Sequence, residues 1–346
     1  MANFYLTVNA LEKLIARDDF YYILTTKNNQ IFLDIERQEL DHILTDVAEN
    51  NLIGQLALAG DLSLKDSKQE IQSMLANHDL MLSKPFSIFI LNIRPNDAKT
   101  IRDETGLICL DEKDNDFSHL FYKRTIQCKE GESNHNWYDF LSTAKQTPSN
   151  CILINDRYFF NKDEIGNTIG IDNLYAILDS ILPEQFKDDR YHVFIAYSVD
   201  SDIRNKLDFK TIATRLMKKI RKIRNYRIIV ELLGYNRNTF GYEHTHNRLI
   251  ATNYGYLDVN QQFSAFKTDN SSCVDQTIIY KAIFSEGVSD DSDFPEISQQ
   301  LLVERIKEMT DYAKTNTNAG YEYALNGTSN PQMVQITNIK NRFLAN

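Results

Sequence analysis

The chain has 346 residues and a mass of 40.1 kDa, too long for one small module and suited to two domains. Hydrophobic residues make up 42% and charged residues 25%, which excludes wholesale disorder. Forty-eight acids against 38 bases leave a net charge of −10 and a pI near 5.3, so the global basic footprint of a nucleic-acid binder is missing, although a local basic patch is still allowed.

In chain order, residues 1–125 predict one α/β domain. Helical spacing of apolar residues runs over 9–16 and 36–49, and a polar helix is expected over 64–77. Residues 85–92 (PFSIFILN) are a strong apolar strand. A helix over 97–105 follows, closed by Gly106, and LICLD at 107–111 is the next strand. A strand, a crossover helix and a second strand predict parallel pairing. The tyrosine-rich 18–24 segment is assigned to the core. The polar stretches KEGESNHNW (129–137) and TPSN (147–150) place a linker at 126–148.

Residues 149–285 form the second α/β domain. CILIN (151–155) is a buried strand and 171–182 a helix stopped by Pro183. YHVFIAY (191–197) is a strand and 208–224 a helix with Ile212, Leu216, Ile220 and Ile223 on one face. YRIIVELL (226–233) is a third strand. This order implies a parallel sheet with helices on both faces. Residues 244–252 and 256–259 are strands around a turn at 253–255. Residues 286–346 comprise an acidic linker, a helix over 297–313 and a polar tail.

Twelve glycines are about half the usual share of ~7%, and no G-x-G or G-x-x-x-x-G-K-[ST] occurs, which excludes nucleotide binding by a glycine-rich loop. The four cysteines lie far apart with no C-x-x-C, which argues against a zinc ribbon or disulfide framework. They fit a reducing cytoplasm. No signal peptide and no apolar run of membrane-spanning length is evident, so no membrane is expected, and no cofactor is called for.

The chemistry concentrates in HTHNRLIATNYGYLDV (244–259). Alternation along a strand puts His246 and Arg248 on one face, just after the last parallel strand. Imidazole can attack phosphorus, and guanidinium can hold two phosphate oxygens. His246-Asn247-Arg248 followed by Asn253 resembles the H-x-K-x(4)-D motif of the phospholipase D superfamily, and more closely its divergent bacterial branch carrying H-x-R. The resemblance covers about residues 148–285. It implies a phospholipase D-like sheet flanked by helices, with His246 as the nucleophile that forms a phosphohistidine. It also implies that Arg248 replaces the phosphate-binding lysine and Asn253 the aspartate. An asparagine cannot tune a histidine as a carboxylate does. The family uses two motifs per active site and this chain carries one, so turnover implies a homodimer. The expected function is a phosphodiester-handling nuclease or defence-type effector, or a phosphate-binding module that has lost turnover.

Asp156, Arg157 and Tyr158 follow the strand 151–155 and are expected at the same crevice. Asp156 and Tyr158 match a D-x-Y-like triplet that the resembling family carries there. His244 completes an H-x-H that could bind substrate phosphate, although no partner set supports a metal. Residues 210–225 carry seven bases and no acid, and Lys218 and Lys222 are candidates to track a nucleic-acid backbone. Each residue also has a plainer reading. His246 and Arg248 could be ordinary strand residues, Asn253 turn chemistry, Asp156 a cap, and the basic helix a solvated face. The ending of the first domain is faintly like that of a PIN-type ribonuclease, which implies a magnesium nuclease drawing on Asp34, Asp103 and Asp111. Otherwise that domain is expected to regulate, or to meet a protein partner.

Overall fold

A computed structural model describes residues 3–26, 29–45, 51–114, 116–157, 159–160, 169–187, 191–199, 209–220, 223–236, 248–285, 299–316, 319–325 and 333–344. The chain is α/β and builds two sheets flanked by helices.

The first sheet contains β1 (Asn3–Leu6), β2 (Gln30–Leu33), β3 (Ser63–Asp66), β4 (Ser87–Leu91) and β5 (Ile108–Asp111). Its order is β3-β2-β1-β4-β5 and every pairing is parallel. The connecting helices are α1 (Val8–Ile15), α2 (Asp18–Thr26), α3 (Arg37–Thr45), α4 (Leu52–Ala59), α5 (Lys68–Ala76) and α6 (Pro95–Thr105). Local chemistry explains their ends. The Thr7 hydroxyl caps α1 by accepting from the Ala10 N–H, and Asn51 caps α4 by accepting from Gly54. Pro95 opens α6, where its missing N–H costs nothing, and Gly106 closes it at φ 66°. A Cβ at Gly106 would also lie 2.3 Å from the Ser149 carbonyl oxygen. The polar helix expected over 64–77 begins later, because Ser63–Asp66 pairs with β2 as an edge strand.

The second sheet has nine strands: β6 (Lys123–Cys128), β7 (Cys151–Asn155), β8 (Tyr191–Ser198), β9 (Ile228–Tyr235), β10 (Leu249–Thr252), β11 (Gly255–Val259), β12 (Gln276–Ala282), β13 (Gly320–Leu325) and β14 (Val334–Ile336). Their order is β14-β13-β9-β8-β7-β10-β11-β12-β6. The β7-β8-β9 run is parallel and all other pairings are antiparallel. The helices are α7 (Trp137–Phe140), α8 (Ile169–Ile181), α9 (Phe209–Ile220) and α10 (Gln299–Thr315). Strands running 7-8-9 in one direction with crossovers of one hand put α8 and α9 on the same face. Leu174, Ile177, Ile212 and Leu216 therefore share one core with Ile152, Ile154 and Val193. The opposite face carries Leu153, Phe194 and Leu233 and is covered by α10 through Leu302, Ile306 and Met309.

Two segments differ from their expected roles. Residues 126–148 supply the second half of β6, which pairs with β12, and the buried Trp137, Phe140 and Leu141. Their polar composition reflects edge exposure rather than a linker. In the tail, β13 pairs with β9 and β14 pairs with β13, so the polar pattern conceals two strands that carry the sheet to its edge. Among the described residues no helix is long and apolar enough to cross a membrane.

The two sheets share buried contacts. Tyr254, from the β10–β11 hairpin, and Phe284, just after β12, sit in the core of the first unit, where Phe284 stacks 6.1 Å from Phe4. The Tyr254 hydroxyl donates to the Ser87 carbonyl at 2.5 Å and accepts from the Ile108 N–H at 3.3 Å. It thereby ties down the first residues of both β4 and β5.

Candidate functional site

The site is built at the carboxyl end of β7. Asn155 closes the strand, and the Asp156 N–H continues the ladder to the Ala196 carbonyl. Asp156 is 1% exposed, and its Oδ2 accepts from the Phe263 N–H at 2.9 Å. A buried carboxylate is expensive unless hydrogen-bonded, and here it anchors the chain beyond β11. Arg157 is also buried. The antiparallel register of β10 on β7 sets Leu249 against Asn155. One residue further out, Arg248 therefore stands beside Asp156 across the two strand ends.

Arg248 Nη1 donates to the Asn260 carbonyl at 3.3 Å. The guanidinium lines an open cleft of ≈ 460 Å3 together with Asn260, Gln261, Gln262 and Val274. Loop 260–263 is held from several sides. Gln276, itself buried, accepts from the Gln262 N–H at 3.1 Å, and the Asn260 side chain accepts from the Thr277 N–H at 2.9 Å. A cation beside neutral amides can bind an anion with polar surroundings.

The structure thus brings Asp156 and Arg248 together, with Arg157 next in the chain. His244, His246, Tyr158 and Lys222 lie outside the described residues. Lys218 is exposed on α9, the crossover between β8 and β9, which lie on the far side of β7 from β10, and it does not line the cleft. Two neighbouring bases have structural work. Lys219 pairs with Asp172 at 2.8 Å, and Arg224 donates to the Asp179, Leu182 and Pro183 carbonyls at the end of α8. A cation at a helix C-terminus satisfies orphan carbonyls and the helix dipole.

Asn253 is at the wrong end of the strand for the role implied by the resemblance. Five residues of extended chain separate it from Arg248, about 17 Å at the usual rise. It is 2% exposed and fully engaged. Its Oδ1 accepts from the Asn150 N–H at 2.9 Å, and its Nδ2 donates to the Pro85 carbonyl at 2.7 Å and to Asn150 Oδ1 at 3.0 Å. The β10–β11 hairpin is tight, so the turn falls where the motif spacing would need a strand to continue.

The acids of the first unit do not converge. Asp34 follows β2 and Asp111 ends β5. Sheet order puts β1 and β4 between these strands, a lateral separation of about 14 Å. Asp103 pairs with Lys99, and its carbonyl accepts from the Lys187 N–H of the second unit. Burial raises the Asp34 carboxyl, an effect opposed by Lys68. Among the described residues no group of three His, Cys, Asp or Glu side chains is placed to hold a metal ion.

Loop 260–262 escaped the sequence reading. Its signal was the Asn-Gln-Gln run directly after an apolar strand, which composition alone assigns to a solvated turn. No protein-family model and no curated protein matches the sequence.

Proposed function

We propose that the second unit handles a phosphodiester at the carboxyl end of β7 and the amino end of β10, with Arg248 as the phosphate clamp and His246 as the nucleophile. The observation that supports this reading is the placement of Arg248 beside the buried Asp156, at the end of a parallel β7-β8-β9 run. That is the edge where open α/β sheets commonly bind ligands. The resemblance to the phospholipase D superfamily supplies the chemistry. His246 attacks phosphorus, and the leaving oxygen takes a proton from a second histidine contributed by another copy of the chain. Water then releases the phosphohistidine. The protein on this reading is a homodimeric nuclease or defence-type effector.

The test is hydrolysis of bis(p-nitrophenyl) phosphate and of DNA and RNA in the presence of a metal chelator, alongside the oligomeric state by light scattering. His246→Ala is expected to abolish turnover, a loss of at least about a hundredfold for a nucleophile. An unchanged rate in that variant, or activity that needs Mg²⁺, sinks the nucleophile assignment.

One observation favours a second reading, a phosphate-binding module without turnover. Asn253 is consumed by the junction with the first unit, so the third position of the motif contributes nothing at the Arg248 end. Salt-dependent binding without hydrolysis would select this reading.

A further inference from the structure

We infer that loop 260–262 is a subsite for the sugar–phosphate backbone flanking the phosphate at Arg248, so that the ligand is a polynucleotide bound without regard to base sequence. The inference rests on the phosphodiester reading above. It starts from the composition of the cleft wall, which has a guanidinium, three carboxamides and one valine. No carboxylate and no aromatic ring is among these described lining residues. An acyl chain needs continuous apolar surface to leave water, and a single valine does not provide it. A splayed base is commonly held by stacking on an aromatic face, and none is among the described residues of this wall. Carboxamides, in contrast, donate to phosphate oxygens and accept from sugar hydroxyls, contacts that carry no base information.

The wall is also built in advance. Asp156 holds the Phe263 N–H, Gln276 holds the Gln262 N–H, and Arg248 binds the Asn260 carbonyl. The Gln261 Nε2 donates to the Asp275 carbonyl at 2.9 Å, which orients its amide and leaves its second N–H to be satisfied from the cleft or by solvent. A loop fixed in this way loses little further freedom on binding. Arg248 is itself one of the residues that secure the loop, so backbone subsite and phosphate clamp are joined by a direct hydrogen bond.

The experiment measures binding by the full chain of a labelled oligothymidine, a mixed-sequence oligonucleotide, vesicles of phosphatidylglycerol with phosphatidylcholine, and inorganic phosphate. The double variant Gln261→Ala/Gln262→Ala is expected to weaken both oligonucleotides about tenfold and equally, while leaving inorganic phosphate unchanged. Arg248→Ala is expected to weaken oligonucleotides and phosphate together. Gln262→Glu, close in size, should weaken oligonucleotides by like-charge repulsion. A double variant that binds oligonucleotides like the wild type, while Arg248→Ala still loses phosphate, overturns the subsite and leaves the clamp standing. Preference for one base sequence, or tighter binding to vesicles, also overturns it. Arg248→Ala binding phosphate and oligonucleotides normally removes the phosphodiester reading itself.

Discussion

The two ends of strand β10 carry similar residue types in opposite circumstances. At its carboxyl end, Asn253 is sealed between the two sheets with every amide group paired. At its amino end, Arg248 borders an open cleft walled by amides. The contrast is between a polar group whose bonds are all made inside the protein and one whose guanidinium also lines a cleft. Burial demands that a polar group be satisfied within the protein, so a residue with all its bonds made inside has none left for a ligand. A polar group that lines a cleft can also meet solvent there, which a ligand can replace.

The strongest way to break this contrast is at the sealed end. Asn253→Ala leaves the Asn150 N–H and the Pro85 carbonyl buried without partners. It should lower stability by about 3–4 kcal/mol in urea unfolding, near the sum of two such losses. A loss near zero would mean that water enters the junction.

Glu231 sharpens the same contrast, because it is a buried polar group only half satisfied. It is 0% exposed on β9, opposite Glu322 of β13. Its Oε1 accepts from the Lys340 N–H at 2.5 Å, and its Oε2 has no hydrogen-bond partner among the described residues. Burial pushes its carboxyl up to about 8 from an ordinary 4.5. The folded protein then keeps a proton that the unfolded chain releases. This contribution to stability is complete below about 4.5 and declines as pH rises to about 8. Glu231→Gln removes the titration. Its stability relative to wild type should rise by about 2 kcal/mol between mildly acidic and mildly alkaline pH in paired urea titrations. Parallel curves at all pH values would contradict a neutral buried acid.

Tyr254→Phe keeps the ring in the first unit's core and removes one hydroxyl. The Ser87 carbonyl and Ile108 N–H lose a shared partner, for an expected cost of about 1–2 kcal/mol in thermal unfolding. The smallest stability effect belongs to the open end. Arg248→Ala should change the unfolding midpoint by no more than about 0.5 kcal/mol, while phosphate binding is lost. A large destabilisation would place Arg248 with Asn253 as a structural residue.

Several elements were legible in the sequence because their physics is local. The runs PFSIFILN and LICLD around a capped helix predicted the parallel β4–β5 pair. CILIN, YHVFIAY and YRIIVELL with two amphipathic helices predicted the parallel β7-β8-β9 run. Asp156 was expected at the crevice of His246 from strand ends alone, and the register sets Arg248 opposite it. Other features were hidden. A strand at or next to a sheet edge needs few apolar residues, so β6 at one edge and β13 beside the other looked like linker and tail. The face that each helix covers follows from strand order rather than from the helix's own pattern. That is why α8 and α9 share one face and α10 covers the other.

The sequence by itself determined the periodicities, the helix stops at Gly106 and Pro183, the absence of glycine-rich phosphate loops and the residue types near Arg248. Each of these depends on neighbours within a few positions. The tertiary structure alone decided that Asn253 is a pin between the sheets, that three acids of the first unit stay apart, and that loop 260–262 walls the cleft. Each of these depends on which strands become neighbours, a choice made by the burial of whole faces that no short window of sequence encodes.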